Sequence, residues 1–494
     1  MTGDTPPTTV NLSVISHTNA GKTTLVRTLL GQDIGEVRDA AHVTDLATGY
    51  LMLQLGSDTL MLWDTPGFGD TARLLKRLKL SSNPVGWFLT QVWDRWRERP
   101  LWSSQQAVRN AREEADIILY LVNASEDPAD AGYVGLEMEI LAWVGKPVLL
   151  LLNQIGPPTQ SGAAEEERWS RHLSGHAVVR GTLTLDAFAR CWVQEGTLLR
   201  MVAPLLPPAK QAASARLEEA WQEKNLQRFN RSMEVLAGHL AEAAADREAV
   251  PEQDWRDKVG GAIRSLGGEE PAEARRAVAK LAERLEVSTR RSTEELIRLH
   301  NLQGKATGEV LRRVGRDVAT SAPAREGFTA MLGGLVSGAL GGLAADVAAG
   351  GLTLGGGMIV GGLLGAVGAG SLARGYNLAR GEAEPVVSWS QDFFLCLVRL
   401  ALLRYLAVAH FGRGRGDYQE GEHPQFWQTA VAEAVERQAS QLQRAWTELK
   451  NGQAAAPAAA LQACLTTAAA ELLVRFYPEA SELFSTRKAV EPVP

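Results

Sequence analysis

The residues with the clearest chemical potential lie near the N-terminus, between a short apolar run and a helical pattern. Residues 10–15 are typical of a buried strand and residues 23–30 of a helix that ends at Gly31, and the loop between them reads Ser16-His17-Thr18-Asn19-Ala20-Gly21-Lys22. In such a loop backbone N–H groups surround phosphates, Lys22 reaches the terminal phosphates and Thr23 binds Mg²⁺. The sequence therefore predicts a nucleotide phosphate site.

This phosphate loop departs from the usual pattern at its first position, where Ser16 replaces a glycine. A chance glycine-lysine-threonine turn is the alternative, and the strand before it and the helix after it make that the weaker interpretation. The residues expected to contact the nucleotide are Ser16, His17, Asn19, Ala20, Gly21, Lys22, Thr23 and Thr24.

A second motif, Asp64-Thr65-Pro66-Gly67, ends another apolar run and resembles the DxxG motif of translation-factor-like and Era-like GTPases. The resemblance implies that Asp64 holds Mg²⁺ through water and that the Gly67 amide senses the γ-phosphate. It also places the switch threonine of the Mg²⁺ shell near Thr44, for which an ordinary turn residue is the alternative. Catalysis would then rest on Lys22, Thr44, Asp64 and Gly67, and the Mg²⁺ on Thr23, Thr44 and Asp64.

The base-reading motif of the same GTPases, Asn-Lys-x-Asp, is incomplete in this sequence. The strand predicted at 148–153 ends in Asn153-Gln154-Ile155-Gly156, so the resemblance places Asn153 at the base while the guanine-binding carboxylate is missing. Loss of such a hydrogen-bonding partner weakens discrimination between bases. Asp186 is a candidate replacement, and a nucleoside triphosphatase without strict guanine preference is the alternative to a GTPase.

Two further residues bear on turnover. Phe68 stands where Ras-like enzymes carry the glutamine that positions water, so hydrolysis is expected to be slow or assisted from elsewhere. Asn19 matches the asparagine that ligates potassium in Era-like GTPases that dimerise through their G domains. Potassium is therefore a possible second cofactor beside Mg²⁺, and an ordinary turn residue is the alternative for Asn19.

The elements that position these residues follow an alternating pattern typical of an α/β fold with a mostly parallel sheet and helices on both faces. The predicted strands cover residues 10–16, 50–55, 59–64, 117–122, 148–153 and 177–184. We assign residues 1–206 to this nucleotide-binding G domain. Its segment 78–104 is an insert with Trp87, Trp93, Trp96 and Trp102, which is either a lid on the domain or a surface for a partner.

After the proline-rich joint at 204–208 the composition predicts an all-α half. Residues 207–320 are expected to form a helical stalk, with apolar residues at helical spacing over 226–240. Residues 321–380 form a glycine-rich apolar block and residues 381–494 a C-terminal helical region. Within that region 393–410 contains two arginines, which favours a buried amphipathic helix over a membrane span.

The glycine-rich block is the most unusual feature of the composition, because 16 of the 48 glycines fall between Gly327 and Gly370. Residues 327–345 and 347–373 contain no charge, and each run is long enough to cross a bilayer as a helix. Glycines repeat every four residues, which allows close helix packing in lipid. We predict a membrane hairpin with its tip near Asp346, and a hairpin buried in a helical domain or an oligomer is the alternative.

Composition restricts the remaining possibilities. The formal net charge of −6 argues against a nucleic-acid partner, and the three widely separated cysteines argue against a disulfide framework or a zinc ribbon. The N-terminus lacks the pattern of a secretory signal. We expect the protein at the cytoplasmic face of the inner membrane, or alternatively in the cytoplasm.

The whole pattern resembles bacterial GTPases that carry a C-terminal helical domain of unknown function. The implied function is a slow GTP hydrolase that acts as a nucleotide switch coupled to a membrane-associated helical domain. Its expected partners are GTP and GDP, membrane lipid, a further copy of the chain and an unidentified protein. The alternative is a pore-forming or scaffolding glycine-zipper membrane protein in which the nucleotide domain only regulates assembly.

Overall fold

The computed structural model describes residues 7–31, 46–79, 84–90, 98–155, 161–187, 190–249, 272–302, 376–380, 385–411, 425–451 and 455–485. These residues divide into two compact units. The first is drawn from residues 1–227, 409–422 and 476–494, and the second from 228–408 and 423–475. The boundaries predicted from composition, near residues 206, 320 and 380, stay predictions.

The first unit is built on a six-stranded sheet with the strand order β2-β3-β1-β4-β5-β6. The strands are β1 (Thr9–Ser16), β2 (Thr48–Leu55), β3 (Asp58–Asp64), β4 (Ile117–Asn123), β5 (Val148–Asn153) and β6 (Val179–Thr184). Strand β2 pairs antiparallel with β3, and every other pairing is parallel. The predicted fold class is therefore confirmed, because central parallel strands buried on both faces read as continuous apolar runs.

Helices connect these strands in the order that an α/β fold requires. They are α1 (Lys22–Leu30), α2 (Thr71–Leu78), α3 (Pro84–Thr90), α4 (Arg99–Glu113), α5 (Gly132–Val144), α6 (Ser161–His172) and α7 (Trp192–Val202). Within the tryptophan-rich insert, Val85 and Phe88 are buried in the apolar core together with residues of α2, α4 and α5. Residues 91–97 of the insert, with Trp93 and Trp96, lie outside the described residues.

Helix α8 (Pro208–Ala245) contributes to both units, and the rest of the second unit is mainly helical. Its further helices are α9 (Ala272–Leu299), α10 (Gln391–Ala409), α11 (Gln425–Arg437), α12 (Ala439–Lys450) and α13 (Ala455–Phe476). The short α14 (Ser481–Ser485) belongs to the first unit. The helical C-terminal half is thus confirmed.

One feature of the second unit differs from the prediction. Strands β7 (Arg247–Ala249), β8 (Tyr376–Arg380) and β9 (Pro385–Trp389) form a three-stranded antiparallel sheet in the order β7-β9-β8. The sequence shows almost no strand pattern here and predicts a helix from about residue 386, whereas the helix begins at Gln391. Strands of three to five residues carry little periodicity, and the partner of β7 lies far away along the chain.

The predicted amphipathic helix at 393–410 corresponds to α10, and most of its apolar side chains are buried. Among the described residues, Pro457–Phe476 in α13 is long and apolar enough to span a membrane, judged on length and composition alone. Because 44% of it is already buried within the protein, it also fits an ordinary core helix. The predicted hairpin at 327–373 lies outside the described residues.

Candidate functional site

The phosphate loop joins β1 to α1 at the carboxyl edge of the sheet. Ser16 ends the strand, Lys22 begins the helix, and Gly21 precedes the helix with a φ of +90°. A Cβ atom at Gly21 would lie 2.8 Å from Nδ2 of Asn153. Glycine is therefore required here both by backbone conformation and by the close approach of a neighbouring side chain.

Four of the predicted site residues form two hydrogen-bonded pairs at this loop. Thr23 Oγ1 donates to Asp64 Oδ2 at 2.7 Å, and Lys22 Nζ donates to Ser16 Oγ at 3.1 Å. Ser16, which replaces the usual glycine, thus provides an acceptor for the lysine ammonium. The other carboxylate oxygen, Asp64 Oδ1, is buried and accepts no hydrogen bond from the part of the chain that the structure describes.

Burial shifts the ionisation of the two charged groups in opposite directions. Burial raises the pKa of the Asp64 carboxyl, while the Lys22 ammonium, the Thr23 hydrogen bond and Arg27 oppose that shift. Burial lowers the pKa of the Lys22 ammonium, against the opposing effect of Asp64 and Glu137. Both groups therefore lie in a poorly solvated environment that disfavours their charged forms.

The DxxG loop packs directly against the phosphate loop. Phe68 N donates to Ser16 O at 2.9 Å, and Thr18 donates to Phe68 O through both its N–H, at 3.1 Å, and its hydroxyl, at 2.5 Å. A Cβ at Gly67 would lie 3.0 Å from Thr18 Cα and 3.1 Å from Lys22 Nζ, so a side chain here would press against the phosphate loop. Phe68 itself is fully buried in the core and offers no polar group to water.

Asn153 occupies the end of β5, as predicted, with both ends of its amide engaged within the protein. Its Nδ2 donates to Ala20 O at 3.0 Å, and its Oδ1 accepts from Ala187 N at 2.8 Å. The side chain therefore ties the phosphate loop to the loop after β6. Asp186, the candidate guanine-reading carboxylate, is only 2% exposed.

Several other predicted residues have a simpler placement. Asn19 is exposed with a φ of +67°, His17 is partly buried, and Ala20 and Thr24 are buried. Thr44 and Gly156 lie outside the described residues.

Three residues near the site were missed by the sequence reasoning: Thr18, Thr71 and Glu137. Glu137 Oε1 lies 2.6 Å from His17 Nδ1 and accepts from Thr71 Oγ1 at 2.8 Å. The available signal was the position of Glu137 on α5, because it lies on the same helical face as Val134, Met138 and Leu141. A carboxylate on an apolar helix face is unusual, and it indicates that the carboxylate has hydrogen-bonding partners in the core.

Comparison with protein families gives the class of this fold and site. Residues 11–154 match a family described as 50S ribosome-binding GTPase, the segment that contains the phosphate loop, Asp64 and Asn153. This segment is therefore a P-loop GTPase domain of that family, as the motifs indicated. Residues 176–471, more than half of the chain, match the domain of unknown function DUF3482. The protein belongs to the DUF3482 family.

Solved structures with similarity to this chain include Era in complex with MgGDPNP and nucleotides 1506–1542 of 16S ribosomal RNA, at 18% identity and a TM-score of 0.30. That match covers 40% of this chain and 57% of the Era chain. A variant of Aquifex aeolicus Era bound to GDP and AlF4⁻ has 15% identity and a TM-score of 0.30, over 59% of this chain and 98% of that one. A variant of S. thermophilus NFeoB bound to the same ligands has 14% identity and a TM-score of 0.24, over 61% and 91%.

These likenesses are weaker than the family matches, which carry the assignment. No curated protein matches the chain in sequence. The Era complex does correct one prediction, that nucleic acid is not a partner, because Era is seen bound to ribosomal RNA. That prediction rested on the net charge of the whole chain, which does not determine the charge of a single surface.

Proposed function

We propose that this GTPase binds Mg²⁺–GTP at the phosphate loop, hydrolyses it slowly, and uses the change of nucleotide as a switch. The observation that carries the proposal is the convergence of Lys22, Thr23 and Asp64 at a loop whose backbone conformation requires glycine at position 21. In this arrangement Lys22 would neutralise phosphate charge, and backbone N–H groups at the start of α1 would bind phosphate oxygens.

The residues present suit Mg²⁺, which prefers oxygen ligands. Thr23 offers a hydroxyl and Asp64 a carboxylate, and the buried Asp64 Oδ1 has no hydrogen-bond donor among the described residues. Thr23 and Asp64 would hold the ion, and the resemblance adds Thr44 to this set. The ion, when bound, would offset the negative charge on the phosphates.

Slow turnover follows from the residue after Gly67. Phe68 is packed in the core, and its side chain has no group that could orient a water molecule. Rapid hydrolysis would therefore need assistance. Potassium at Asn19 is one proposed source, because a cation near the phosphates would offset charge that develops during bond cleavage.

Guanine preference is expected to be weak. The Asn153 amide is already engaged by Ala20 and Ala187, and Gly156 provides no carboxylate for the guanine ring. If ATP displaces labelled GTP at equal concentration, the site is a broader nucleoside triphosphatase. If a large excess of ATP is needed to displace labelled GTP, the site itself prefers guanine nucleotides.

The decisive experiment on the site measures binding of a fluorescent GTP analogue in the presence of Mg²⁺. Lys22→Ala should abolish binding, and Thr23→Ala should remove the dependence on Mg²⁺. The matched control is Lys280→Ala, which removes an exposed lysine of the second unit that pairs with Glu248. Unchanged GTP affinity in Lys22→Ala would exclude this loop as the nucleotide site.

We also propose that the switch acts on a membrane through the hairpin at 327–373, at the cytoplasmic face of the inner membrane. Support comes from the sequence: two uncharged runs on either side of Asp346 and glycines at four-residue spacing. The full-length chain should resist carbonate extraction from membranes, and deletion of 327–373 should release it. An intact chain that is monomeric and soluble without detergent would reject both the membrane role and self-association.

A further inference from the structure

Glu137 is a fully buried carboxylate at the junction of the phosphate loop and the segment that follows Asp64. It lies on α5 with 0% exposure, and its neighbours on that helix face belong to the apolar core. Burying an ionisable group is unfavourable unless it is hydrogen-bonded. An apolar side chain would fill the same space without that penalty, so the carboxylate needs an explanation beyond packing.

The partners of Glu137 come from three different elements. Oε1 contacts His17 Nδ1 at 2.6 Å in the phosphate loop and accepts from Thr71 Oγ1 at 2.8 Å at the first residue of α2. Oε2 accepts from the hydroxyl of Tyr120 on β4. Burial first, and then the charge of Glu137, raise the pKa of Tyr120 well above its ordinary value, so this hydroxyl remains a donor.

The shared oxygen couples two segments that each belong to the nucleotide site. His17 lies inside the phosphate loop, and Thr71 lies four residues after Gly67, where the resemblance places the γ-phosphate sensor. The same segments are also joined through the backbone contacts of Ser16 and Thr18 with Phe68. A shift of either segment must therefore break or rearrange a buried hydrogen bond to the other.

We propose that Glu137 is a positioning residue that links the phosphate loop, through His17, to the start of α2, through Thr71. The two segments then respond together when nucleotide binds. The inference rests on the proposed nucleotide function and adds to it a route from the site to α2. Glu137 touches neither the nucleotide nor the metal in this role.

The test uses the full-length chain and variants of Thr71, because these leave the phosphate loop intact. Thr71→Val removes the hydroxyl at nearly constant volume, and Thr71→Ser keeps it as the conservative rescue. Thr71→Val also removes a weaker bond to Gly69 O at 3.3 Å, so Glu137→Gln, which keeps that bond, is measured beside it. Tyr120→Phe is the matched control, because it removes a Glu137 partner that lies in neither loop.

We expect Thr71→Val to lower kcat for GTP about tenfold while KM changes less than about twofold, since positioning errors act on the reacting geometry more than on binding. Thr71→Ser should restore kcat, and Tyr120→Phe should keep the wild-type kcat. Glu137→Gln should lower kcat less than Thr71→Val does, because its amide oxygen can still accept from Thr71. Hydrogen exchange gives a second readout: nucleotide should alter protection of both residues 16–23 and 71–78 in the wild type, and the change at 71–78 should be smaller in Thr71→Val.

Two results would overturn the inference: wild-type kcat and an intact α2 response in Thr71→Val, or an equal loss of kcat in Tyr120→Phe. Failure of the underlying function looks different, because the wild type would then bind no GTP at all. Thermal melts of all four variants show whether each one folds. If Glu137→Gln does not fold, the comparison of Thr71→Val with Thr71→Ser still decides the matter.

Discussion

Asn153 offers the sharpest test of the site, because the sequence and the structure suggest different roles for this residue. The GTPase resemblance makes it a base-reading residue. The structure instead engages both ends of its amide, with Ala20 O at 3.0 Å and Ala187 N at 2.8 Å. If the second role dominates, Asn153→Ala should destabilise the protein even when no nucleotide is present.

The expected magnitude follows from the groups left behind. Asn153 and Ala187 are 0% exposed and Ala20 is 6% exposed, so the substitution would leave a buried carbonyl and a buried N–H without partners. Each such group costs about 1 to 3 kcal/mol, so the free energy of unfolding should fall by about 2 to 6 kcal/mol. Urea denaturation of the nucleotide-free protein measures this directly.

The neighbouring strand provides a matched control. Asn123 is the register partner of Asn153, yet its side chain is partly exposed, and among the described residues it bonds to Ser125 and Glu126 in the loop that follows. Asn123→Ala should therefore cost less than about 1 kcal/mol, since water can replace those bonds. In Asn153→Ala the affinities for GTP and ATP should fall by the same factor. Two results together would refute this structural role: unchanged stability of the nucleotide-free variant, and a loss of affinity for GTP but not for ATP. Asn153 would then be a base-reading residue.

Three further predictions concern other residues. If Asn19 ligates potassium, replacing sodium by potassium should accelerate GTP hydrolysis in the wild type but not in Asn19→Ala; equal rates in both salts would leave Asn19 a turn residue. Burial, with Arg404 and Arg291 nearby, lowers the pKa of His239 well below its ordinary value, so the unfolded chain takes up this proton first as pH falls. Stability should drop by about 1.4 kcal/mol per pH unit below about pH 6.5, and His239→Gln should remove that component of the slope in pH-dependent urea melts. Gly21→Ala should weaken nucleotide binding, because Gly21 has a φ of +90° and an added Cβ would lie 2.8 Å from Asn153 Nδ2. Gly31→Ala should cost only about 1 to 2 kcal/mol of stability, because its φ is +65° and an added Cβ would have no atom within 4 Å.

The G domain was predictable because its functional residues directly follow its apolar strands in the sequence. Six apolar runs gave the strands, and the polar residues that follow β1, β3 and β5 are brought together at one edge of the sheet. The sequence alone therefore predicts that Lys22, Asp64 and Asn153 lie in one site. It could not reveal that Asn153 bonds to Ala187, because that contact depends on the register of β5 with β6.

The second unit was predictable only in its helical content. Amphipathic spacing predicts a helix from local residues alone, which is why 226–240 and 393–410 were found. The small sheet was missed because β7 has three residues and pairs with β9 across a long stretch of chain. Glu137 was missed for a related reason, since its partners His17, Thr71 and Tyr120 converge only in three dimensions.

The buried polar groups around the phosphate loop imply that the nucleotide is also a structural component of the G domain. Lys22 and Asp64 are each held in surroundings that disfavour their charges, and Asp64 Oδ1 has no donor among the described residues. Phosphate and Mg²⁺ would supply the missing opposite charges, so a ligand that binds the folded chain alone must stabilise it by mass action. Glu137 bonds to Thr71 at the start of α2, and Asn153 bonds to Ala187 after β6. Stabilisation of the phosphate loop by a ligand would therefore extend to both segments.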